Sequence, residues 1–287
     1  MSAARTLRGY LDDGKTHLVV GGYDGLTARV ADTSGAEILH LTGFGASAAL
    51  AAVPDIGLLS LTEMVDACRR MCEASDKPLI ADADTGHGNP LNVRRTIRAF
   101  EAAGAAAVHI EDQVAPKRCG HMAGKSVIST SDMVEKVKAA VDARRDDDFV
   151  IIARTDARAV EGLDAAFERA EAYREAGADV LFIEALRDKV EIERSIREAP
   201  RPQLLNWAFD GLTPHASRSW VESLGFELLL FADVASVVHR ALVEFHRQLH
   251  AADSLDEVAP LVSGFEDFNE FVGLTDWRAL EQRYAAD

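Results

Sequence analysis

Acidic side chains at four positions in this sequence could hold a hard divalent metal ion. Asp82 and Asp84 follow a short apolar run, Glu111 ends another, and Asp55 lies in a Pro-Asp-Ile-Gly segment. Carboxylates without a pair of thiolates or imidazoles favour Mg2+ or Mn2+ over Zn2+. Because Mg2+ keeps several waters, one or two carboxylates would touch it directly and the rest would act through water. The alternative is that Asp82 and Asp84 cap the helix that follows.

Cys119 could transfer a proton beside such a metal. It lies in the segment Pro-Lys-Arg-Cys-Gly-His, next to Lys117, Arg118 and His121. If these cationic groups surround the thiol in space, they favour the thiolate and bring its pKa into the working range. The long loop 112–130 is typical of a functional or mobile segment. The alternative is a solvent-exposed coincidence.

Further polar residues end the other apolar runs. Arg154, Glu184 and Asn206 each end a run, and Thr42-Gly43 follows an earlier one. One such position carries little information, because polar residues commonly open loops or cap helices. Consecutive runs that all end this way predict that the side chains converge at one mouth of the fold.

The apolar runs themselves predict a parallel β-sheet, since continuous apolarity is typical of strands covered on both faces. The predicted strands are 17–21, 37–42, 78–82, 106–111, 149–154, 179–184, 202–206 and 226–231. The predicted helices are 24–35, 60–75, 91–103, 131–145, 161–177, 188–198, 215–223 and 234–250. This alternation predicts an α/β fold, a closed (β/α)8 TIM barrel, with an open doubly wound sheet as the alternative.

We expect one barrel domain over 1–287, in which 252–287 form a C-terminal helical extension. The apolar side chains of this extension need a surface on the same barrel or on a neighbouring subunit, which indicates an oligomer. They include Phe265, Phe268, Phe271, Leu274 and Trp277.

The composition argues against several classes of partner. A formal net charge of -16 and a pI near 5.0 argue against nucleic acid and anionic membranes. No apolar run approaches the roughly 18 residues of a membrane span, so we expect a cytoplasmic protein. Cys68 and Cys72 share one face of a predicted helix, and their interpretation as core residues is preferred over a metal pair.

Several segments together resemble one known family, the isocitrate lyase/phosphoenolpyruvate mutase superfamily, and in particular its methylisocitrate lyase and 2,3-dimethylmalate lyase-like members. The matching segments are GGYDGLTARVA, TGFGASAAL, PDIG, DADTGHGN, HIEDQ, PKRCGH, ARTDAR, EAGAD and GLTDW…LEQRY. They run almost from end to end, and the KRCGH loop combined with DADTG and EDQ is highly specific.

The resemblance implies a role for each matching position. It implies that Asp82 is the direct Mg2+ ligand and that Cys119 is the acid that protonates the leaving enolate. It also implies an arginine, Arg154, that grips the substrate near the bond being broken. The implied water-mediated metal shell is Asp55, Asp84 and Glu111. The implied carboxylate-binding turn is Thr42, Gly43 and Phe44. The implied remaining active-site groups are Lys117, Gly120, His121, Glu184 and Asn206. Family members are commonly homotetramers that exchange C-terminal helices.

The expected activity is therefore Mg2+-dependent retro-aldol cleavage of a small di- or tricarboxylate, a 2-hydroxy acid, to a 2-oxo acid and a second carboxylate. Phe209 replaces an expected acid after strand 7, Trp207 is bulky, and His40 replaces a tyrosine. These departures favour a smaller or more apolar alkylmalate over methylisocitrate. The alternatives are oxaloacetate hydrolysis or decarboxylation, a carboxyphosphonoenolpyruvate-type mutase, and a silent metabolite-binding barrel.

Overall fold

A closed barrel of eight parallel strands organises the computed structural model, which describes residues 2–209 and 211–285. The strands are β1 (His17–Gly22), β2 (Ile38–Leu41), β3 (Leu79–Asp82), β4 (Ala107–Glu111), β5 (Val150–Thr155), β6 (Val180–Ile183), β7 (Gln203–Asn206) and β8 (Leu228–Phe231). They pair in chain order, and β8 closes the barrel by pairing with β1. The predicted TIM barrel is confirmed, and every predicted strand is present.

One helix precedes β1, the helices between successive strands form the layer around the barrel, and the last helices follow β8. They are α1 (Ala3–Asp12), α2 (Gly25–Thr33), α3 (Gly43–Ala51), α4 (Leu61–Ala74), α5 (Pro90–Ala102), α6 (Thr130–Ala143), α7 (Ala157–Val160), α8 (Leu163–Glu175), α9 (Lys189–Glu198), α10 (Arg218–Leu224), α11 (Val234–Ala251), α12 (Phe265–Phe271) and α13 (Leu274–Tyr284). Helices α1, α3 and α7 were not predicted from the sequence pattern.

Helix α1 closes the amino-terminal end of the barrel. Ala4, Leu7 and Leu11 recur at helical spacing and are buried in the same apolar cluster as the inward-facing strand residues. Arg8 attaches the helix to the barrel, because its Nη1 donates to Asp179 at 2.8 Å. A floor of this kind leaves the opposite, carboxyl-terminal end of the barrel for chemistry.

Alternate strand residues fill the barrel interior. On β8, Leu228 and Leu230 belong to the central apolar cluster, together with Val150 and Ile152 on β5. Because side chains alternate along a strand, Leu229 and its odd-numbered neighbours on β8 face the helix layer. The same alternation decides which aromatic residues can reach the mouth of the barrel.

Cys68 and Cys72 lie on α4. Cys68 is completely buried, as predicted for a core residue, whereas Cys72 is only partly buried and packs near Gly104. In the ranges 2–209 and 211–285, no helix is both long enough and apolar enough to cross a membrane.

The chain divides into two compact units, residues 1–235 and 236–287. The second unit begins inside α11, before the expected position at 252, and continues through two 3-10 turns into α12 and α13. Several of its large apolar side chains are exposed, including Phe265 at 85 % and Trp277 at 69 %. That this extension packs on a barrel stays a prediction.

Candidate active site

The carboxyl ends of the parallel strands bring the predicted polar residues to one mouth. Asp82 ends β3, Glu111 ends β4, and Arg154 lies near the end of β5. Thr42 and Glu184 follow β2 and β6 directly, and Asn206 ends β7. The strand register fixes this convergence: Glu111, for example, is paired with Arg154 across the sheet.

Lys117 lies at the centre of the acidic cluster. Its Nζ is 2.5 Å from Asp55 Oδ1 and 2.8 Å from Asp84 Oδ1, and all three side chains are buried. Burial disfavours the charged ammonium, but the carboxylates of Asp84, Asp82 and Glu111 outweigh it and hold the pKa of Lys117 well above its usual value. Lys117 is therefore a fixed positive charge within the cluster.

Asp82 and Asp84 have opposite protonation behaviour. Asp82 accepts hydrogen bonds from the backbone N–H groups of Asp84 at 2.9 Å and Gly43 at 3.2 Å. Burial raises the pKa of Asp82, but His109 and Lys117 outweigh it, so the pKa lies below its usual value. At Asp84, burial outweighs the attraction of Lys117 and raises the pKa to about 6. The pair therefore carries one firmly ionised carboxylate and one that titrates near neutral pH.

Glu111 is the clearest sign that this cluster suits a cation. It is 1 % exposed, and among the described residues neither of its side-chain oxygens receives a hydrogen bond, although Arg154 Nε is 3.3 Å away. Burial outweighs Arg154 and raises the pKa of Glu111 well above its usual value. Hard oxygen donors in excess of nearby positive charge fit Mg2+ or Mn2+.

The described residues do not form a ready-made cluster of three or more converging metal ligands. This agrees with the position of Lys117 between Asp55 and Asp84, and with the preference of Mg2+ for one or two direct carboxylates plus water. The cluster therefore has the donor chemistry for such an ion without enclosing it.

The loop between β4 and α6 is folded over the mouth. Gln113 fixes its base through hydrogen bonds to the backbone N–H and carbonyl of Arg118. The N–H of Cys119 donates to the carbonyl of Asp55 at 3.0 Å. Gly120 packs so closely that a Cβ there would overlap the guanidinium of Arg154. The loop thus brings its thiol to the strand ends.

The predicted activation of the Cys119 thiol is wrong. Burial is the largest influence and raises its pKa, the carboxylate of Asp55 raises it further, and Arg154 only partly opposes them. Lys117 points to the aspartates, and Arg118 is exposed to solvent. Cationic neighbours in sequence are therefore not the charges that surround this thiol, which remains protonated at neutral pH.

Arg154 and His121 line the other side of the mouth. Arg154 Nη2 is 3.5 Å from Glu184 Oε2, and its guanidinium lies 5.1 Å from the centre of the Phe182 ring. His121 Nε2 is 3.2 Å from Asn206 Nδ2, and its Nδ1 accepts from the backbone of Leu212. The contact of His121 with Asn206 joins the loop to the end of β7.

The turn after β2 offers backbone donors at the same mouth. Thr42 caps α3, and its side chain accepts from the N–H of Gly45. A Cβ at Gly43 would lie 2.6 Å from Asp82 Oδ2, so glycine is required at this approach. Half-buried Phe44 follows. The start of α3 therefore faces the acidic cluster, and helix amino termini favour anions.

His40 lies against a histidine that the sequence did not single out. Its Nε2 is 2.9 Å from His109 Nε2, and the two rings stack 5.2 Å apart. Burial, followed by the neighbouring His109, lowers the pKa of His40 to about 3. The position of His109 two residues before Glu111 on β4, pointing inward, was the available signal.

Lys125 and Asp156 were also missed. Their side chains are 1 % and 0 % exposed and form an ion pair of 2.6 Å. Lys125 follows the Cys119 segment in the same loop, and Asp156 follows β5 in the segment ARTDAR. Neither motif by itself shows that the two residues meet.

Trp207 and Phe209 line a cavity of about 290 Å3 together with Phe231, which falls on the outward register of β8. Phe209 is mostly exposed, and Asp210 lies outside the described residues. The positions of Trp207 and Phe209 therefore give no support to a role for them in shaping the substrate pocket.

Comparison with known proteins identifies the class of this site. Residues 7–249 match the phosphoenolpyruvate phosphomutase family. Two solved structures have the same fold over nearly their whole length. Oxaloacetate acetylhydrolase in complex with 3,3-difluorooxalacetate has a TM-score of 0.91 and 33 % identity, covering 100 % of this chain and 98 % of that one. Phosphonopyruvate hydrolase in complex with oxalate and Mg++ has a TM-score of 0.90 and 30 % identity, covering 99 % of each chain.

The curated relatives include lyases. The 2,3-dimethylmalate lyase of Eubacterium barkeri is 41 % identical over 286 residues, which cover 99 % of each protein. The 2-methylisocitrate lyase of Shewanella oneidensis is 38 % identical over 279 residues, covering 94 % of this chain and 96 % of that protein. The chain belongs to the phosphoenolpyruvate phosphomutase family. The expected superfamily and the expected enzyme class, a carbon–carbon lyase, are confirmed.

Proposed function

We propose that this enzyme is a divalent-metal-dependent lyase that cleaves the C2–C3 bond of an alkylated malate. The observation that carries the proposal is the meeting of the buried carboxylate cluster, Arg154 and the Cys119 thiol at one barrel mouth. Similarity to 2,3-dimethylmalate lyase over 99 % of both chains supports the alkylmalate. A tricarboxylate such as methylisocitrate is the less favoured substrate.

The acidic cluster is the proposed site for Mg2+, with Mn2+ as a substitute. Asp82 would hold it directly because its carboxylate stays ionised, and Asp55, Asp84 and Glu111 would hold it through water. When bound, the ion supplies Lewis-acid polarisation of the hydroxyl and carboxylate oxygens of the substrate. Lys117 limits the repulsion among these carboxylates before the ion arrives.

The substrate is an anion in a protein of net charge -16, so local positive charge must retain it. The backbone amides of Thr42, Gly43 and Phe44 at the start of α3 would bind its 2-carboxylate. Arg154 would bind the departing half, since its guanidinium faces Glu184 and the loop. The side of the site opposite the acidic cluster would be closed by Gly120, His121 and Asn206.

The C2 hydroxyl passes its proton to a carboxylate of the acidic cluster and becomes a carbonyl, while the C2–C3 bond breaks and its electron pair passes into the departing carboxylate as an enolate. Arg154 stabilises that charge, and the Cys119 S–H donates the proton to C3. A raised thiol pKa suits this role, because the acid must be protonated before the enolate forms. The closed loop keeps water from the enolate.

A homotetramer in the cytoplasm is the proposed setting. The exposed apolar side chains of the C-terminal unit support an intersubunit contact.

The test is a substrate panel with Mg2+: alkylmalates, isocitrates, oxaloacetate and a phosphonate. Release of a 2-oxo acid from an alkylmalate is the expected result. Cys119→Ser should lower kcat by about 100-fold or more while leaving substrate binding nearly unchanged. Cys72→Ser, at a partly exposed position on α4, is the matched control. Wild-type turnover by the Cys119 variant would contradict the proposal.

Oxaloacetate hydrolysis is the second candidate, favoured by the similarity to oxaloacetate acetylhydrolase over 100 % of this chain. The same panel separates the two. If oxaloacetate alone is consumed and acetate is a product, the proposed substrate is oxaloacetate and not an alkylmalate.

A further inference from the structure

A buried lysine lies in an otherwise exposed part of the Cys119 loop. Ala123 and Gly124 are exposed, whereas the side chain of Lys125 is 1 % exposed. Its Nζ donates to Asp156 Oδ1 at 2.6 Å and to the carbonyl oxygen of Gly120. Lysine is almost never fully buried without a partner. Here the ammonium joins the turn next to Cys119 to a residue of the barrel.

Asp156 is rigidly held on the barrel side. Its backbone N–H donates to Asp112 Oδ1 at 2.9 Å. The other oxygen of Asp112 accepts from Thr155 at 2.7 Å and from the Tyr173 hydroxyl at 2.8 Å. These groups are buried, and they fix the backbone at Asp156 on the barrel side.

The same carboxylate also holds Arg154. Asp156 Oδ2 accepts from Arg154 Nε at 2.9 Å, and Oδ1 accepts from Nη2 at 3.2 Å. Asp156 therefore lies between Lys125, a cation of the loop, and Arg154, a cation of β5. It holds the two in a fixed relative position. Gly120, which Lys125 also contacts, packs directly against Arg154 and Glu184.

We propose that Lys125 is a positioning residue that holds the Cys119 loop closed against Arg154, with Asp156 as its anchor. The inference rests on the proposed function, since it concerns the same site. When the loop is closed, Lys125 donates a hydrogen bond to the turn that carries Cys119. It also forms an ion pair with the carboxylate of Asp156, which orients Arg154. Opening the loop would break the ion pair between Lys125 and Asp156.

The first measurement is alkylation of Cys119 by iodoacetamide, followed by peptide mass spectrometry, which requires no turnover. In Lys125→Met the loop should open more often. The alkylation rate of Cys119, measured without substrate, should therefore be about tenfold higher than in the wild type. Lys125→Arg keeps the charge and should restore most of the protection. Lys138→Met removes an exposed lysine that pairs with Glu135, and it should leave the rate unchanged.

The second measurement separates positioning from a general loss of structure. With the best substrate of the panel, Lys125→Met should lower kcat about tenfold or more and change KM by less than about threefold, because its ion pair acts on the loop and on Arg154 rather than on the carboxylate-binding turn at Thr42. The double variant Lys125→Met/Asp156→Asn should lose no more than Asp156→Asn alone, since Lys125 acts through Asp156.

The possible outcomes separate this inference from the proposed function. Wild-type alkylation of Cys119 in Lys125→Met overturns the inference, whether or not kcat falls. If Lys125→Met does not fold, a wild-type alkylation rate in Asp156→Asn, which removes the charge of the anchor, overturns the inference as well. Failure of the substrate panel refutes the proposed function but leaves the alkylation result as a statement about the loop.

Discussion

The Cys119 thiol is surrounded by charges of both signs. Burial is the main reason that its pKa lies above the ordinary 9.0, and the hydrogen bond involving the His121 backbone lowers it only in part. Asp55 and Glu184 add negative charge, and Arg154 opposes them. A neutral thiol at physiological pH is a proton donor rather than a nucleophile, which agrees with the proposed protonation of an enolate.

The raised pKa gives a prediction for the resting enzyme. Iodoacetamide reacts with the thiolate, so the alkylation rate of Cys119 should keep rising with pH past 9.0 and reach half its maximum above that value. A small thiol such as N-acetylcysteine, measured in parallel, gives the reference curve. A half-maximal rate below about pH 8 would show an activated thiol and restore the interpretation drawn from the sequence.

At the scale of elements, the strands were predictable and their loops were not. Continuous apolar runs identify strands covered on both faces, so the sequence pattern alone assigns Asp82, Glu111 and Arg154 to strand ends. Helix α3 was missed because its segment, Gly-Phe-Gly-Ala-Ser-Ala-Ala, has no apolar periodicity. Helix α1 was missed although Ala4, Leu7 and Leu11 recur at helical spacing, because it precedes the first strand and lies outside the strand–helix alternation.

Contacts made by the folded loop were also out of reach of the sequence. Lys117 lies between Asp55 and Asp84, and Lys125 meets Asp156, although each pair is far apart in the chain. Sequence neighbours suggested instead that Lys117 would act on Cys119. Charge partners are set by tertiary packing, so the residue types of the site were predictable but their pairing was not.

The strand-end carboxylates give a prediction for metal binding. Mg2+ at about 100 times its Kd should stabilise the fold by about 2.7 kcal/mol and raise Tm by about 5–10 °C near pH 8. The effect should shrink below about pH 6. The pKa of Asp84 is raised to about 6, mainly by burial, so protons compete with the ion there.

Without metal, the change of stability with pH should have the opposite sign. A raised carboxyl pKa stabilises the fold at low pH, and that contribution is lost as pH rises through about 6, so metal-free Tm should fall over this range.

EDTA should abolish turnover, and Mg2+ or Mn2+ should restore it. Asp82→Asn is the control that should remove the Mg2+ shift in Tm. An equal Tm with and without Mg2+ near pH 8 would contradict the proposed metal site.

At the scale of the whole molecule, two aromatic surfaces take no part in the proposed active site. The C-terminal unit exposes Phe265, Trp277 and Tyr284, which are 85 %, 69 % and 74 % accessible. The barrel unit has an aromatic cavity lined by Trp207 and Phe231. Exposed aromatic residues on this scale are typical of interaction surfaces. The apolar tail was recognisable from composition, whereas the surface proposed to cover it lies on a neighbouring subunit and leaves no mark in the residues of the tail.

A homotetramer that buries these aromatic residues makes a direct prediction about mass. Multi-angle light scattering should give about four times the 31.1 kDa of one chain. The double variant Phe265→Asp/Trp277→Asp places charges in the proposed contact and should yield smaller species, because an unpaired buried charge is strongly unfavourable. Leu91→Asp changes an equally exposed apolar residue on α5 and should keep the wild-type mass. If the double variant also keeps the wild-type mass, these side chains do not hold the subunits together, and the exposed unit needs another partner.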